Sequence, residues 1–259
     1  MKAIILSAGQ GSRLLPMTSD KPKCTLRLEG KTVIEWQIDA LNQNGIDDIV
    51  VVTGYRSDKV HRLLDRRYGK DTIKVVFNPF FEVADNLASC WMVREEMTGD
   101  FLLINGDTLF EPGVAQTLLS NPQQPITLAR DHKPHYDEDD MKLILDSDRL
   151  LSIGKKLPLD QVNGESIGMI RFDSDGGRLF RSTIERCMLD PAALERWYLS
   201  VIDEIAAETD AVWTASIEGL DWAEIDYPLD LKHAETMVSG WDWGTGEWIG
   251  EADIHTGTR

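Results

Sequence analysis

A chain of 259 residues with 44 Asp and Glu against 27 Lys and Arg, net charge -17, is long enough to bury a sizeable core without metal or disulfide staples. Its hydrophobic fraction of 42% and charged fraction of 27% are ordinary for a globular protein. The negative balance excludes a nucleic-acid groove or an anionic membrane surface as the main partner, because both require a positive footprint.

Lys2 to Ser7 reads as a strand that empties into the glycine-rich loop Gly9-Gln10-Gly11-Ser12. Val33, Ile34, Trp36, Ile38, Ala40 and Leu41, between Gly30 and Gly45, predict a helix over 32–44. Ile49 to Thr53 is a continuous β-branched run, the pattern of a strand buried on both faces. Helix is expected over 57–68 and 86–97, and strand over 73–77 and 101–104. This alternation predicts a doubly wound, mostly parallel α/β sheet with helices on both faces, a Rossmann-like layer. Beyond residue 125 the pattern changes. Short strands over 126–130, 141–145, 150–153 and 167–172 read as hairpins, and helices follow over 177–189 and 192–208. A strand over 212–217 and a helix over 228–239 end the series. We read one domain over 1–240, with a nucleotide-binding half (1–125) and an acceptor-binding half (126–240) containing a small β-hairpin subregion. The remainder, 241–259, reads as a surface-packed tail, with a lid or partner contact as the alternative.

Cys24, Cys90 and Cys187 are odd in number and widely spaced, which fits neither a disulfide framework nor a zinc site and suits a reducing cytosol. The apolar start is too short for a signal peptide, and no stretch of about 20 apolar residues is present. A cytoplasmic protein without a membrane partner is the expectation. The oligomeric state stays open, a homo-oligomer included.

The strongest chemical signal is Leu6-Ser7-Ala8-Gly9-Gln10-Gly11-Ser12-Arg13-Leu14-Leu15-Pro16-Met17-Thr18, followed by Lys21-Pro22-Lys23. A strand emptying into such a loop presents backbone N–H groups with no side chains in the way, a nest for phosphates. Arg13 is able to fork onto phosphate oxygens, and Lys23 supplies a point charge nearby. Gly9 and Gly11 alone would equally suit a tight turn. Asp107 follows the apolar run Phe101 to Ile104, at the strand end where open α/β folds place their ligand crevice. Asn105-Gly106-Asp107 also reads as an ordinary turn.

This chain resembles the nucleotidyltransferases that join a nucleoside triphosphate to a phosphorylated sugar or alcohol, a GT-A-like superfamily. Their signature is roughly LxAGxGxRLxPxTxxxPK, here with Ser7 where alanine is usual. The resemblance implies that Gly9 and Gly11 line the triphosphate, with Ser7, Ala8, Ser12 and Gly106 as further nucleotide-binding candidates. It further implies that Arg13 steadies the β,γ-phosphates and Lys23 the reacting α-phosphate, the two catalytic candidates. It supplies two magnesium positions, Asp107 and Asp226, the second in Trp222-Ala223-Glu224-Ile225-Asp226, where Glu224 is placed to share or replace its role. Mg²⁺ takes one or two carboxylates plus substrate phosphates, so the pair suffices.

Asn86-Leu87-Ala88-Ser89-Cys90-Trp91 resembles the segment of phosphocholine and phosphonate cytidylyltransferases that stands where sugar-nucleotide enzymes read the base, which makes Asn86 and Ser89 nucleotide candidates. Tyr55, after Thr53-Gly54, is placed to border the nucleoside. In the same branch Met141-Lys142-Leu143, Ile153 to Leu157 and Gly164 to Gly168 form the acceptor half. Lys142 and Lys155 are candidate acceptor-phosphate ligands or solvated charges. Glu165 faces a cationic or hydroxylated acceptor or holds a turn. Trp91, Tyr136 and Tyr227 are core residues or parts of an aromatic cage. The acidic run Asp137 to Asp140 is a solvated face or a contact for a cationic acceptor.

The expected reaction is transfer of CMP from CTP to a phosphorylated small molecule, with release of pyrophosphate. The alternatives are a sugar-1-phosphate uridylyl- or thymidylyltransferase and a non-catalytic nucleotide sensor on the same fold. A nicotinamide dehydrogenase is excluded by Leu14, which stands where the third fingerprint glycine belongs.

Overall fold

The computed structural model describes residues 1–121 and 124–241. The tail expected over 241–259 lies outside them apart from Trp241. In chain order the elements are β1 (Lys2–Ser7), β2 (Arg27–Leu28), β3 (Lys31–Thr32), α1 (Val33–Gln43), β4 (Asp48–Thr53), α2 (Ser57–Tyr68), β5 (Lys74–Phe77), α3 (Asn86–Val93), β6 (Phe101–Asn105), β7 (Thr108–Phe110) and α4 (Pro112–Ser120). The second half adds β8 (Ile126–Asp131), β9 (Lys142–Asp146), β10 (Arg149–Gly154), β11 (Gly164–Phe172), α5 (Ser174–Cys187), α6 (Leu199–Glu208), β12 (Val212–Ser216), β13 (Trp222–Glu224) and α7 (Pro228–Ser239).

Among the described residues, nine strands form one mixed sheet in the order β5-β4-β1-β6-β11-β8-β12-β10-β9. The β5-β4-β1-β6 block is parallel, as the strand–helix alternation requires. β11 runs antiparallel to both β6 and β8 and joins the halves. Alternation along the strands divides the core. Ile4, Val50, Val52 and Leu103 pack with α3, α5 and α6, whereas Ala3, Ile5, Val51 and Ile104 pack with α1, α2 and α4. Helices therefore cover both faces, and a strand with apolar residues at every position is the consequence.

Local chemistry sets the helix starts. Thr32 and Glu35 form a reciprocal capping box at α1, and Asp173 accepts from the Asp175 and Gly176 N–H groups, so α5 begins three residues before its expected start. The helix expected over 192–208 is broken. Pro191–Glu195 is a 3₁₀ turn, Arg196 is extended, and α6 starts at Leu199. The carbonyls of Leu194 and Arg196 instead accept from the N–H groups of Asp85 and Leu87 at the start of α3. Uncommitted N–H groups at one helix start are thus satisfied at the expense of continuity in another.

A third core cluster lies beyond the sheet. Leu14, Leu26, Leu28, Leu109, Ile225 and Leu231 pack together with Trp36 of α1. A two-strand ladder pairs Glu224 with Thr108 and Trp222 with Phe110. These short strands, together with α4, fall outside the elements expected from periodicity. No helix among the described residues is long and apolar enough to cross a membrane.

Candidate active site

The loop after β1 is braced by one of its own side chains and by a backbone N–H from beyond β4. The buried Thr18 hydroxyl donates to the Gly11 carbonyl at 2.8 Å, and the Tyr55 N–H donates to the Ala8 carbonyl at 2.9 Å. The N–H groups of Gly9, Gln10 and Gly11 donate to no other described residue, which leaves them for an anion. Gly11 has φ of 76°, and a Cβ there would stand 2.9 Å from the Cβ of Lys23. Only glycine lets the Lys23 side chain pass beneath the loop.

Lys23 brings the two candidate metal positions together. Its ammonium donates to Asp107 Oδ2 at 2.9 Å and to Asp226 Oδ1 at 2.5 Å, across 84 and 203 positions of sequence. Burial alone would lower the Lys23 pKa, but Asp107 and Asp226 outweigh it and raise the pKa above its ordinary value. Arg13 donates to the other Asp226 oxygen at 3.0 Å. Oxygens of Asp107, Glu224 and Asp226 lie within 4.8 Å of one another. Glu224 as a whole is solvent-accessible, but its carboxyl end is crowded by protein. That crowding, and next the charges of Asp107 and Asp226, push its pKa up to about 8. Asp107 Oδ1 is buried with no hydrogen-bond partner among the described residues. Three converging carboxylates with an orphaned oxygen suit a hard divalent cation, which prefers oxygen ligands.

Beside this cluster is a cavity of about 210 Å³ whose lining includes Ala8, Gly9, Asn86, Ser89, Gly106 and Asp107. Five of the nucleotide candidates and the metal candidate Asp107 therefore line one cavity. Asn78, Phe81 and Asp85 also line it and were not expected. No motif marks them, since they lie in the irregular connection between β5 and α3. The buried Ser89 hydroxyl accepts from Asn78 Nδ2 at 3.1 Å, and Asn86 Oδ1 accepts from the Tyr198 N–H at 2.9 Å. Gly106 closes against β1, where a Cβ would stand 2.3 Å from Ser7 Oγ and 2.5 Å from the Leu6 carbonyl oxygen. Gly106→Ala is expected to lower stability by about 1–3 kcal/mol, seen as a lower urea midpoint at unchanged slope. An unchanged midpoint would show that the turn relaxes freely.

Several expected residues are placed differently. Ser7 is buried under Gly106, and its hydroxyl oxygen has no hydrogen-bond partner among the described residues. Ser12 is exposed at the start of a 3₁₀ turn. The Tyr55 hydroxyl donates to the Ser19 carbonyl, and the cavity is lined by Phe81, packed edge-on against the Tyr55 ring. Lys142 is not placed as an acceptor ligand. It is buried, and its ammonium donates to the carbonyls of Asp137, Asp140 and Lys155. Glu165 is buried on Lys133 at 2.9 Å, with burial raising its pKa against the pull of that lysine. Lys155 is only partly buried, 3.5 Å from Asp139 and 4.7 Å above the ring of Trp197. The three cage aromatics are dispersed: the Trp91 ring faces Arg94, Tyr136 meets His132 edge-on and the Tyr227 ring faces Arg13, with no ring contact joining them among the described residues.

Comparison with known proteins agrees with this geometry. A choline-phosphate cytidylyltransferase of Streptococcus pneumoniae is 37% identical over 242 residues, covering 92% of this chain and 98% of that one. A CTP:phosphoglutamine cytidylyltransferase of Campylobacter jejuni is 26% identical over 90% of this chain and 98% of its own length. The solved inositol-1-phosphate CTP transferase from T. maritima shares the fold, with a TM-score of 0.79 at 23% identity over 92% of this chain and 94% of that one. The family model described as nucleotidyl transferase matches residues 2–131, the stretch that contains the loop, Lys23, the cavity and Asp107. With that match and a 37% identical relative along nearly its whole length, the chain belongs to the nucleotidyl transferase family and is a nucleotidyltransferase.

Proposed function

We propose that the protein is a magnesium-dependent cytidylyltransferase that transfers CMP from CTP to a phosphorylated small molecule. The observation that carries this reading is the meeting of Arg13 and Lys23 with Asp107, Glu224 and Asp226 at the mouth of the Asn86–Ser89 cavity. The names of the two relatives above, both cytidylyltransferases acting on phosphorylated acceptors, support CTP.

In this reading the base and ribose lie in the cavity and the triphosphate lies on the Gly9–Gly11 N–H groups. An acceptor phosphate oxygen attacks the α-phosphorus in line, the new P–O bond forms as the bond to the β-phosphate oxygen breaks, and pyrophosphate leaves. No proton needs to move, because a phosphate monoester with a second pKa near about 6 is already largely a dianion. The chain's task is positioning and charge. Lys23 turns from its carboxylates to the α-phosphate, Arg13 binds the β,γ-phosphates, and Lys155 receives the acceptor phosphate. Asp107 and Asp226, with Glu224 beside them, hold Mg²⁺, which when bound neutralises charge on the phosphates.

The test is a matrix of ATP, GTP, CTP, UTP and dTTP against phosphocholine, a phosphonate, a phosphorylated amino acid amide and a sugar 1-phosphate, read by pyrophosphate release. CTP is expected to give the highest rate. Faster release from UTP or dTTP with the sugar phosphate would replace the cytidylyl reading and leave the family unchanged.

A further inference from the structure

The connection from β8 to β9 carries the acidic run Asp137 to Asp140, and both sides of Asp139 are anchored. The buried Lys142 ammonium donates to the carbonyls of Asp137, Asp140 (3.3 Å) and Lys155 (2.9 Å). The Asp140 carboxylate pairs with Lys133 at 2.8 Å, and Lys133 pairs in turn with the buried Glu165. Between these anchors Asp139 extends into the cleft. One of its oxygens lies 3.6 Å from Arg13 Nη2 and 3.5 Å from Lys155 Nζ, and the other accepts from the Tyr227 hydroxyl at 3.3 Å. The Tyr227 ring also faces the Arg13 guanidinium, 5.4 Å from its centroid. A single carboxylate thus bridges a cation of the nucleotide half and a cation of the acceptor half.

We propose that Asp139 is a built-in competitor of the substrate phosphates, bridging Arg13 and Lys155 until a phosphate displaces it. The inference rests on reading those two side chains as phosphate cations. Its contacts are long and half-exposed, so they are weak and screened by salt. A phosphate dianion carries about twice the charge and more acceptor oxygens, so it wins the exchange. The bridge keeps both cations pointed into the cleft while setting a threshold that a singly charged carboxylate ligand does not cross. Anchoring by Lys142 and Lys133 means that the side chain, rather than the whole connection, has to turn away.

The experiment is calorimetric titration of the whole chain with inorganic pyrophosphate at low ionic strength, in wild type, Asp139→Asn and Asp139→Ala. Both substitutions lie at an exposed position, so folding is preserved. The expected result is pyrophosphate binding roughly three- to tenfold tighter in both variants. The gain should shrink at high salt, and it should shrink again when Lys155→Met is added, as a double-mutant cycle requires. Equal, measurable affinity in the three chains overturns the competitor role alone. Absence of binding in all three overturns it together with the polyphosphate site on which it rests. Weaker binding in the variants also overturns it and makes Asp139 a contributor to ligand binding.

Discussion

Lys23→Ala is expected to slow pyrophosphate release from CTP by roughly 10²–10³-fold while leaving the sheet folded. The ammonium is nearly enclosed, with a side-chain exposure of 12%, and it is held between Asp107 and Asp226 before any phosphate is bound. Its removal has two separable effects. The α-phosphate loses a cation positioned where negative charge builds up in the transition state, so kcat falls at saturating CTP and magnesium. The metal-free protein is left with Asp107, Glu224 and Asp226 facing one another without their internal counter-charge, so its thermal midpoint becomes more dependent on added Mg²⁺ than that of the wild type. Single-turnover release and thermal melts with and without magnesium read the two effects independently. Near-normal turnover would remove Lys23 from the α-phosphate.

Asp107→Asn is expected to abolish magnesium-dependent pyrophosphate release, a loss of roughly 10³-fold or more. The substitution keeps the shape of a side chain at the end of β6 but removes the charge that makes it a ligand. An amide oxygen is a poor replacement where a hard dication needs anionic oxygen, and the amide nitrogen would meet the Lys23 ammonium as donor against donor. Circular dichroism should show an unchanged fold, and titration with Mg²⁺ should show weakened binding. Retained activity would dismiss the metal position.

The parts of this site legible in the sequence are those confined to one continuous segment. The loop from Gly9 to Lys23 and the strand ending at Asp107 announce themselves because glycine spacing and an apolar run each have a single local cause. The parallel block is legible for the same reason, since residues that alternate between two helix layers must all be apolar. Illegible features depend on distant partners. The break at Arg196 exists because carbonyls there serve the start of α3, more than a hundred positions earlier, as the Asn86–Tyr198 bond across 112 positions also shows. Lys142, by resemblance a candidate acceptor ligand and otherwise a solvated charge, is neither exposed nor free, because burial and three nearby carbonyls turn it into a loop anchor. Asn78 and Phe81 carry no motif at all, and only the closing of the connection after β5 brings them to the cavity.

The ladder between β7 and β13 also has a meaning for the life of the chain on the ribosome. The first half of the polypeptide contains the glycine-rich loop, the residues of the cavity wall and Asp107, although the start of α3 in that wall takes its partners from Leu194, Arg196 and Tyr198. Asp226 arrives 203 positions after Lys23, and a ladder of three residue pairs draws its segment into register with Thr108 to Phe110. Until that ladder forms, Lys23 has one carboxylate partner instead of two. Synthesis order therefore leaves the pairing of Lys23 to the end, and a chain interrupted before β13 would carry the loop and Asp107 without the second carboxylate.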